Sequence, residues 1–214
     1  MTSANDIEKV RRIAEELRCL CPGARLIQEE DGRVRCFRLR YLTFIEGRKA
    51  IGQGGGESGI VRDFLDDTAI LIGFFEGSEV VGTVRVNYTG HELWPDRHLY
   101  NLNKFLKVYG NRVAVWSKLS VHPGYRRSGL FSKLTSAAYL VSLILDIEVG
   151  LLGCAPRLVS LYERLGCKRY GRPAIIDPYG EIAPLFLMPK RIDWLRSIGS
   201  PLARVYDRYL RISR

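Results

Sequence analysis

One stretch combines residue types and spacing that bear on chemistry: Lys118-Leu119-Ser120-Val121-His122-Pro123-Gly124-Tyr125-Arg126-Arg127-Ser128-Gly129-Leu130. An apolar, β-branched run ends in a short basic loop, and a helical apolar pattern starts directly after it. The first backbone N–H groups of a helix have no partner within it, and the helix dipole places partial positive charge there. Arg126 and Arg127 add formal charge, while Gly129 lets an anion approach the backbone. Such a junction suits a pyrophosphate. A solvated basic loop before an amphipathic helix is the plainer reading of the same residues.

Several other chemistries lack their residues. The Gly-x-Ser-x-Gly elbow of a serine hydrolase is absent, and no cluster has the spacing of a metal site. The Gly-rich stretch Gly52–Gly59 lacks the Gly-Lys-Ser/Thr ending of a P-loop, and no strand leads into it, so it is expected to act as a mobile flap. His91, His98 and His122 are the histidines, and His122 reads as a turn residue or a phosphate contact rather than a base. Five cysteines, at Cys19, Cys21, Cys36, Cys154 and Cys167, include no Cys-x-x-Cys. Their odd number and spread argue for reduced core thiols in a cytoplasm, not a disulfide framework.

These residues need elements to hold them. Ile7–Leu20 has the apolar spacing of an amphipathic helix, stopped by Pro22-Gly23, and Val34–Ile45 reads as a second helix. Ala69–Phe75 and Val80–Asn87, joined by the polar turn Glu76-Gly77-Ser78-Glu79, predict a β-hairpin. Leu93–Tyr109 is partly helical, Arg112–Val121 a third strand and Gly129–Leu145 a strong helix. Ile147–Cys154 follows as a strand, Pro156–Leu165 as a short helix opened by proline, and Cys167–Ile176 and Ala183–Met188 as further strands. The order gives a mixed sheet carrying helices, an α/β (α+β) domain.

At this point the chain resembles a known superfamily. Arg126-Arg127-Ser128-Gly129-Leu130 is similar to the Gln/Arg-x-x-Gly-x-Gly/Ala signature of the Gcn5-related N-acyltransferases (GNAT), with Phe131 at the final Gly/Ala position. Leu161-Tyr162-Glu163-Arg164-Leu165-Gly166-Cys167 is similar to its Leu-Tyr-x-x-x-Gly-Phe. Upstream, Arg40-Tyr41-x-x-Phe44, Asp63-x-x-Asp66 and Gly82-x-x-Arg85 resemble the acyl-homoserine-lactone synthases and, more closely, the long-chain N-acyl amino acid synthases. Where those branches carry Glu-x-Ser-Arg-Leu, this chain reads Val115-Trp116-Ser117-Lys118-Leu119. The resemblance implies one GNAT-like domain over residues 1–190, with a mostly antiparallel sheet whose splayed central strands form an acyl-carrier groove.

It also implies roles. Acyl transfer from a thioester to an amine needs an oriented carbonyl, a neutral amine, oxyanion stabilisation and a proton for the thiolate. By resemblance, Ser117, Leu119 and Val121 bind the pantetheine arm through their backbone, with the N–H near Leu119 polarising the carbonyl and Lys118 beside it. Arg126, Arg127, Ser128, Gly129 and Leu130 hold the phosphate, and Arg40, Asp63, Asp66 and Arg85 bind the substrate. An exposed ion-pair network is the plainer reading of those last four. Tyr162 is the expected proton donor, because a phenol of pKa about 10 is protonated when a thiol of about 8.5 departs. The base is open among Asp63, Asp66, Asp67, Glu79 and water.

The expected reaction is transfer of a medium or long acyl chain from acyl carrier protein or coenzyme A to the amine of an amino acid or similar small molecule. An acetyl-coenzyme A-dependent acetyltransferase and a non-catalytic carrier-binding module are the alternatives. No metal and no nucleic acid is expected. The net charge, 33 Lys plus Arg against 23 Asp plus Glu, or +10, fits an anionic carrier. The apolar runs are shorter than the roughly 18–20 residues of a membrane span, so a cytoplasmic protein is expected. Residues 191–214 read as a basic amphipathic extension, broken at Gly199-Ser200-Pro201 into two helices packed on the domain. Contact with an anionic membrane is the alternative for that segment.

Overall fold

The structure, a computed structural model, describes residues 4–45, 59–89, 94, 97–177 and 179–212. The glycine-rich stretch expected to form a flap lies, up to residue 58, outside the described residues. The chain runs α1 (Ala4–Leu20), β1 (Ala24–Leu26), α2 (Glu30–Phe44), β2 (Ile70–Glu76), β3 (Glu79–Asn87), α3 (Leu102–Tyr109), β4 (Val113–Val121) and α4 (Leu130–Ile144). It continues through β5 (Val149–Cys154), α5 (Val159–Glu163), β6 (Lys168–Arg169), β7 (Ala174–Ile176), β8 (Gly180–Leu187), α6 (Ile192–Ser197) and α7 (Pro201–Ile212). The sheet order is β1-β2-β3-β4-β5-β8-β6, with β7 paired to β8. Among the described pairs only β4 and β5 are parallel, and α4 makes the crossover between them.

The period-two alternation along the central strands builds two cores. Ala114 and Trp116 of β4, with Leu152 and Cys154 of β5, face α1, α4 and α7. Val113, Val115, Val149 and Leu151 face the other way, into a cluster with Leu65, Trp94, Leu99 and Leu102. Helix α4 is buried almost throughout from Leu134 to Leu143, between the sheet and the two other helices. It presses close because Gly82 has no side chain: a Cβ there would stand 2.8 Å from Leu130 Cδ2. Trp116 Nε1 donates to Ser142 Oγ at 3.0 Å and fixes the strand against the helix.

Two expectations need correction, and one strand was not foreseen. The single strand expected over Cys167–Ile176 is two short ones, β6 and β7, because Gly171 takes φ +67° and turns the chain between them. Strand β1, three residues long, is too short to show a period. Cys19 is exposed, whereas Cys21, Cys36, Cys154 and Cys167 are buried; all five are free thiols.

The C-terminal break falls where expected. Ser200 Oγ donates to Leu165 O at 2.7 Å and accepts from Leu202 N at 3.2 Å, so the kink is tied to the domain. Leu195, Leu202 and Ala203 belong to the same apolar cluster as α1 and α4. Losing a buried leucine costs about 2–5 kcal/mol, and two approach the whole stability of a domain. A chain ending at Lys190 is therefore expected to show no cooperative melt by circular dichroism. A melt within a few degrees of the full chain would make the segment dispensable.

Candidate active site

Strands β4 and β5 pair from Val113↔Val149 to Trp116↔Leu152 and then separate. A bulge in β4 sits where they part. Arg85 faces Ser117 and Thr83 faces Ser120, so Lys118 and Leu119 share Val84 as their opposite residue. Lys118 has φ +53°, a left-handed conformation that costs a lysine about 1–3 kcal/mol. The parting strands enclose a cavity of about 180 Å³ lined by Ser117, Lys118 and Leu119 of β4 and Leu152, Gly153 and Cys154 of β5. It reaches both cores, touching Thr135 and Ala138 of α4 on one side and Leu65, Trp94 and Leu99 on the other. Gly153 matters for its width, since a Cβ there would lie 2.6 Å from Ile182 Cγ2 and 2.9 Å from Tyr100 Oη.

The four charged residues picked out upstream converge beside this cavity, and they are not an exposed network. Arg40 Nη1 stands 2.8 Å from Asp66 Oδ1, with both side chains fully buried. Arg85, 2% exposed, bridges Asp66 at 3.2 Å and Asp63, and its Nε donates to Ser117 Oγ at 2.9 Å. Lys118 Nζ lies 3.5 Å from Asp63 Oδ2, donates to Tyr179 Oη and sits 4.1 Å from the centre of that ring. Asp63 and Asp66 form a reciprocal cap, Asp63 N donating to Asp66 Oδ2 at 3.0 Å while Asp63 Oδ1 accepts from Leu65 N at 3.1 Å. Burial alone would raise the Asp66 carboxyl, but Arg40, Arg85 and the Asp63 N–H more than offset it and hold it below the usual range. Asp63, Arg85, Ser117 and Lys118 line the cavity; Arg40 and Asp66 stand behind them and brace.

Tyr162, 6% exposed, also lines the cavity, edge-on to Phe131 with ring centres 5.0 Å apart. Burial, aided by Cys154, Cys167 and Tyr100, pushes its hydroxyl well above the usual phenol range, so it stays protonated. Leu119 lines the cavity, whereas Val121 pairs with Gly82 further along β4. Val115 is buried in the second core.

Beyond β4, the loop is as open as its sequence implied. Arg126, Arg127, Ser128 and Gly129 are exposed, and neither arginine has an ion pair among the described residues. Arg127 and Gly129 take φ +70° and +78°, and no side chain caps α4, which leaves its first N–H groups free for an anion. His122 is a turn residue: its Nδ1 accepts from Gly124 N at 3.2 Å. Leu130 is buried and contributes backbone alone. Exposed Lys133, Arg157 and Arg164 extend the basic surface, and no Asp or Glu occurs between Arg97 and Leu145. Trp94, Tyr179 and Gly153 belong to the site without any signal in their sequence context. No cluster among the described residues could hold a metal ion, and no helix there is long and apolar enough to cross a membrane.

The family model for the N-acyl amino acid synthase FeeM matches residues 35–189. No match was found among curated protein sequences. The solved structure of FeeM, an N-acyl amino acid synthase from uncultured soil microbes, superposes with a TM-score of 0.64 at 16% identity, covering 85% of this chain and 97% of that one. BjaI, a CoA-dependent acyl-homoserine lactone synthase solved with SAM and isopentyl-CoA, gives 0.60 at 20% identity, covering 83% and 92%. The acyl-homoserine lactone synthase LasI gives 0.59 at 17%, covering 81% and 94%. The fold, a mostly antiparallel sheet opened between β4 and β5, is thus GNAT-like. With the family model spanning β2 to β8, the cleft and the basic loop, the chain belongs to the FeeM family of N-acyl amino acid synthases and is an acyltransferase.

Proposed function

We propose that the enzyme moves a medium or long acyl chain from acyl carrier protein to the amine of an amino acid. The observation that carries this is a cavity with a largely apolar lining, opened where β4 and β5 part, on the strand that runs on into the exposed basic loop. Its lining by Leu65, Trp94, Leu99, Ile176 and Ile182 offers far more apolar wall than an acetyl group would cover. The exposed Arg126, Arg127, Lys133, Arg157 and Arg164 suit an acidic carrier protein, which presents charge over a wide face.

In this reading the α4 N-terminus and Arg126–Arg127 hold the phosphate, and the arm runs beside Ser117–Val121. The backbone at the Lys118–Leu119 bulge polarises the thioester carbonyl. The neutral amine attacks, a C–N bond forms, the C–S bond breaks, and Tyr162 gives its proton to the thiolate. The proton lost by nitrogen restores the phenol through solvent.

Incubation with dodecanoyl-acyl carrier protein or dodecanoyl-CoA and the twenty amino acids, read by mass spectrometry and free-thiol release, tests the reading. An acyl amino acid formed faster from the carrier protein supports it; thiol release without any acyl amine counts against it. Each charged phosphate contact is worth about 1.5–3 kcal/mol. Arg126→Ala with Arg127→Ala removes two such contacts and is therefore expected to raise the donor KM about 100-fold or more and leave the acceptor KM in place. An unchanged donor KM would remove this loop from the carrier site.

A further inference from the structure

Among the described residues the charges beside the cavity do not cancel: Arg40, Arg85 and Lys118 pair there with Asp63 and Asp66 alone, three cations against two anions. The surrounding ring adds nothing to the balance, because Arg33 and Arg62 are paired with Glu30 and Asp67. Tyr179 completes the packing around Lys118. A cation left uncompensated at this depth is costly unless something anionic joins it. Its position is defined. Arg40 is shut off from the cavity, so the surplus charge meets it through Arg85 and Lys118.

The guanidinium of Arg85 shows where an anion would sit. Its Nε is bonded to Ser117 and its Nη1 to Asp63 and Asp66, whereas Nη2 makes no hydrogen bond among the described residues. This residue is 98% buried by its 2% exposure, and it lines the cavity. Lys118 Nζ, held between Asp63 and Tyr179, stands on the same wall.

We infer that Arg85 Nη2 and Lys118 Nζ form a clamp for the carboxylate of the acceptor, an inference that rests on the transfer reading above. The donor's phosphate has its own place at the far end, by α4. The anion expected next to the thioester is therefore the acceptor's, and an α-amino acid brings a carboxylate two bonds from its nitrogen.

The test uses dodecanoyl-acyl carrier protein and the best amino acid found above, beside that amino acid's carboxamide and its decarboxylated amine. For the native enzyme kcat/KM is expected to be about 100-fold or more lower for both analogues, since a site built for a polar group rejects molecules lacking it. Lys118→Met should lower the amino acid's value and barely move the carboxamide's, whereas Lys118→Arg should keep the preference. Analogues used as well as the amino acid would overturn the clamp while leaving the transferase reading intact. Equal preference in Lys118→Met and native enzyme would also overturn it. No acyl amine from any acceptor with either donor would sink the transfer reading and the clamp with it. If Lys118→Met does not fold, the native enzyme's ratio between amino acid and carboxamide decides alone.

Discussion

Asp66→Asn is expected to lower the melting temperature by roughly 6–20 °C. Asp66 is the sole ion-pair partner of Arg40 among the described residues, and both are fully buried, so the change strands a guanidinium in the interior. Breaking a buried pair by removing one partner costs about 3–5 kcal/mol. For a chain of this size each kcal/mol moves the midpoint by about 2–4 °C. The acid dependence follows from the depressed Asp66 carboxyl. A group whose pKa is lower folded than unfolded contributes fully above the unfolded value, about 3.9, and loses its contribution as pH falls through the folded value. Denaturant melts at pH 7 should therefore show the full gap between native and Asp66→Asn protein, and the gap should shrink below pH 4. A variant melting with the native protein at pH 7 would mean the pair adds nothing.

Tyr162→Phe is expected to cut kcat about 100-fold with the donor KM unchanged. The phenylalanine keeps the edge contact with Phe131, so the fold should persist and only the proton be lost. General acids contribute about 10²–10⁴, and the low end applies because a thiolate leaves readily. An oxygen-ester analogue of the donor, with a far more basic leaving group, should lose more than the thioester does. Equal losses on both donors, or none, would leave Tyr162 as a packing residue of α5.

Much of the site was legible because it is local. The end of β4, the basic loop and α4 are consecutive, and their chemistry depends on a helix terminus that its own sequence announces. The hairpin β2–β3 and the break at Gly199-Ser200-Pro201 were legible for the same reason. What stayed hidden is long-range. Charge in a sequence reads as surface, yet Arg40, Asp66 and Arg85 come from a helix, a turn and a strand that bury one another. Tyr179 reaches Lys118 across 61 positions of chain, and Trp94 enters the cavity from a stretch with no period. The bulge at Lys118 was invisible too, because nothing marks a lysine as left-handed where glycine is the usual occupant.

On the proposed reading, the parting of β4 and β5 ties the enzyme's stability to its substrate. Beyond Trp116 and Leu152 the sheet has two inner edges facing each other across a gap, in the middle rather than at its rim. On the proposed reading, an extended pantetheine arm with its own amides is the thread that closes that seam. A ligand present at about 100 times its dissociation constant adds roughly 2.7 kcal/mol to stability. Increments of that size change how long a protein escapes proteolysis in a cell. On that reading a shortage of acyl donors would leave the seam open and the protein more exposed to proteolysis, so the amount of catalyst would follow the supply of the chains it transfers.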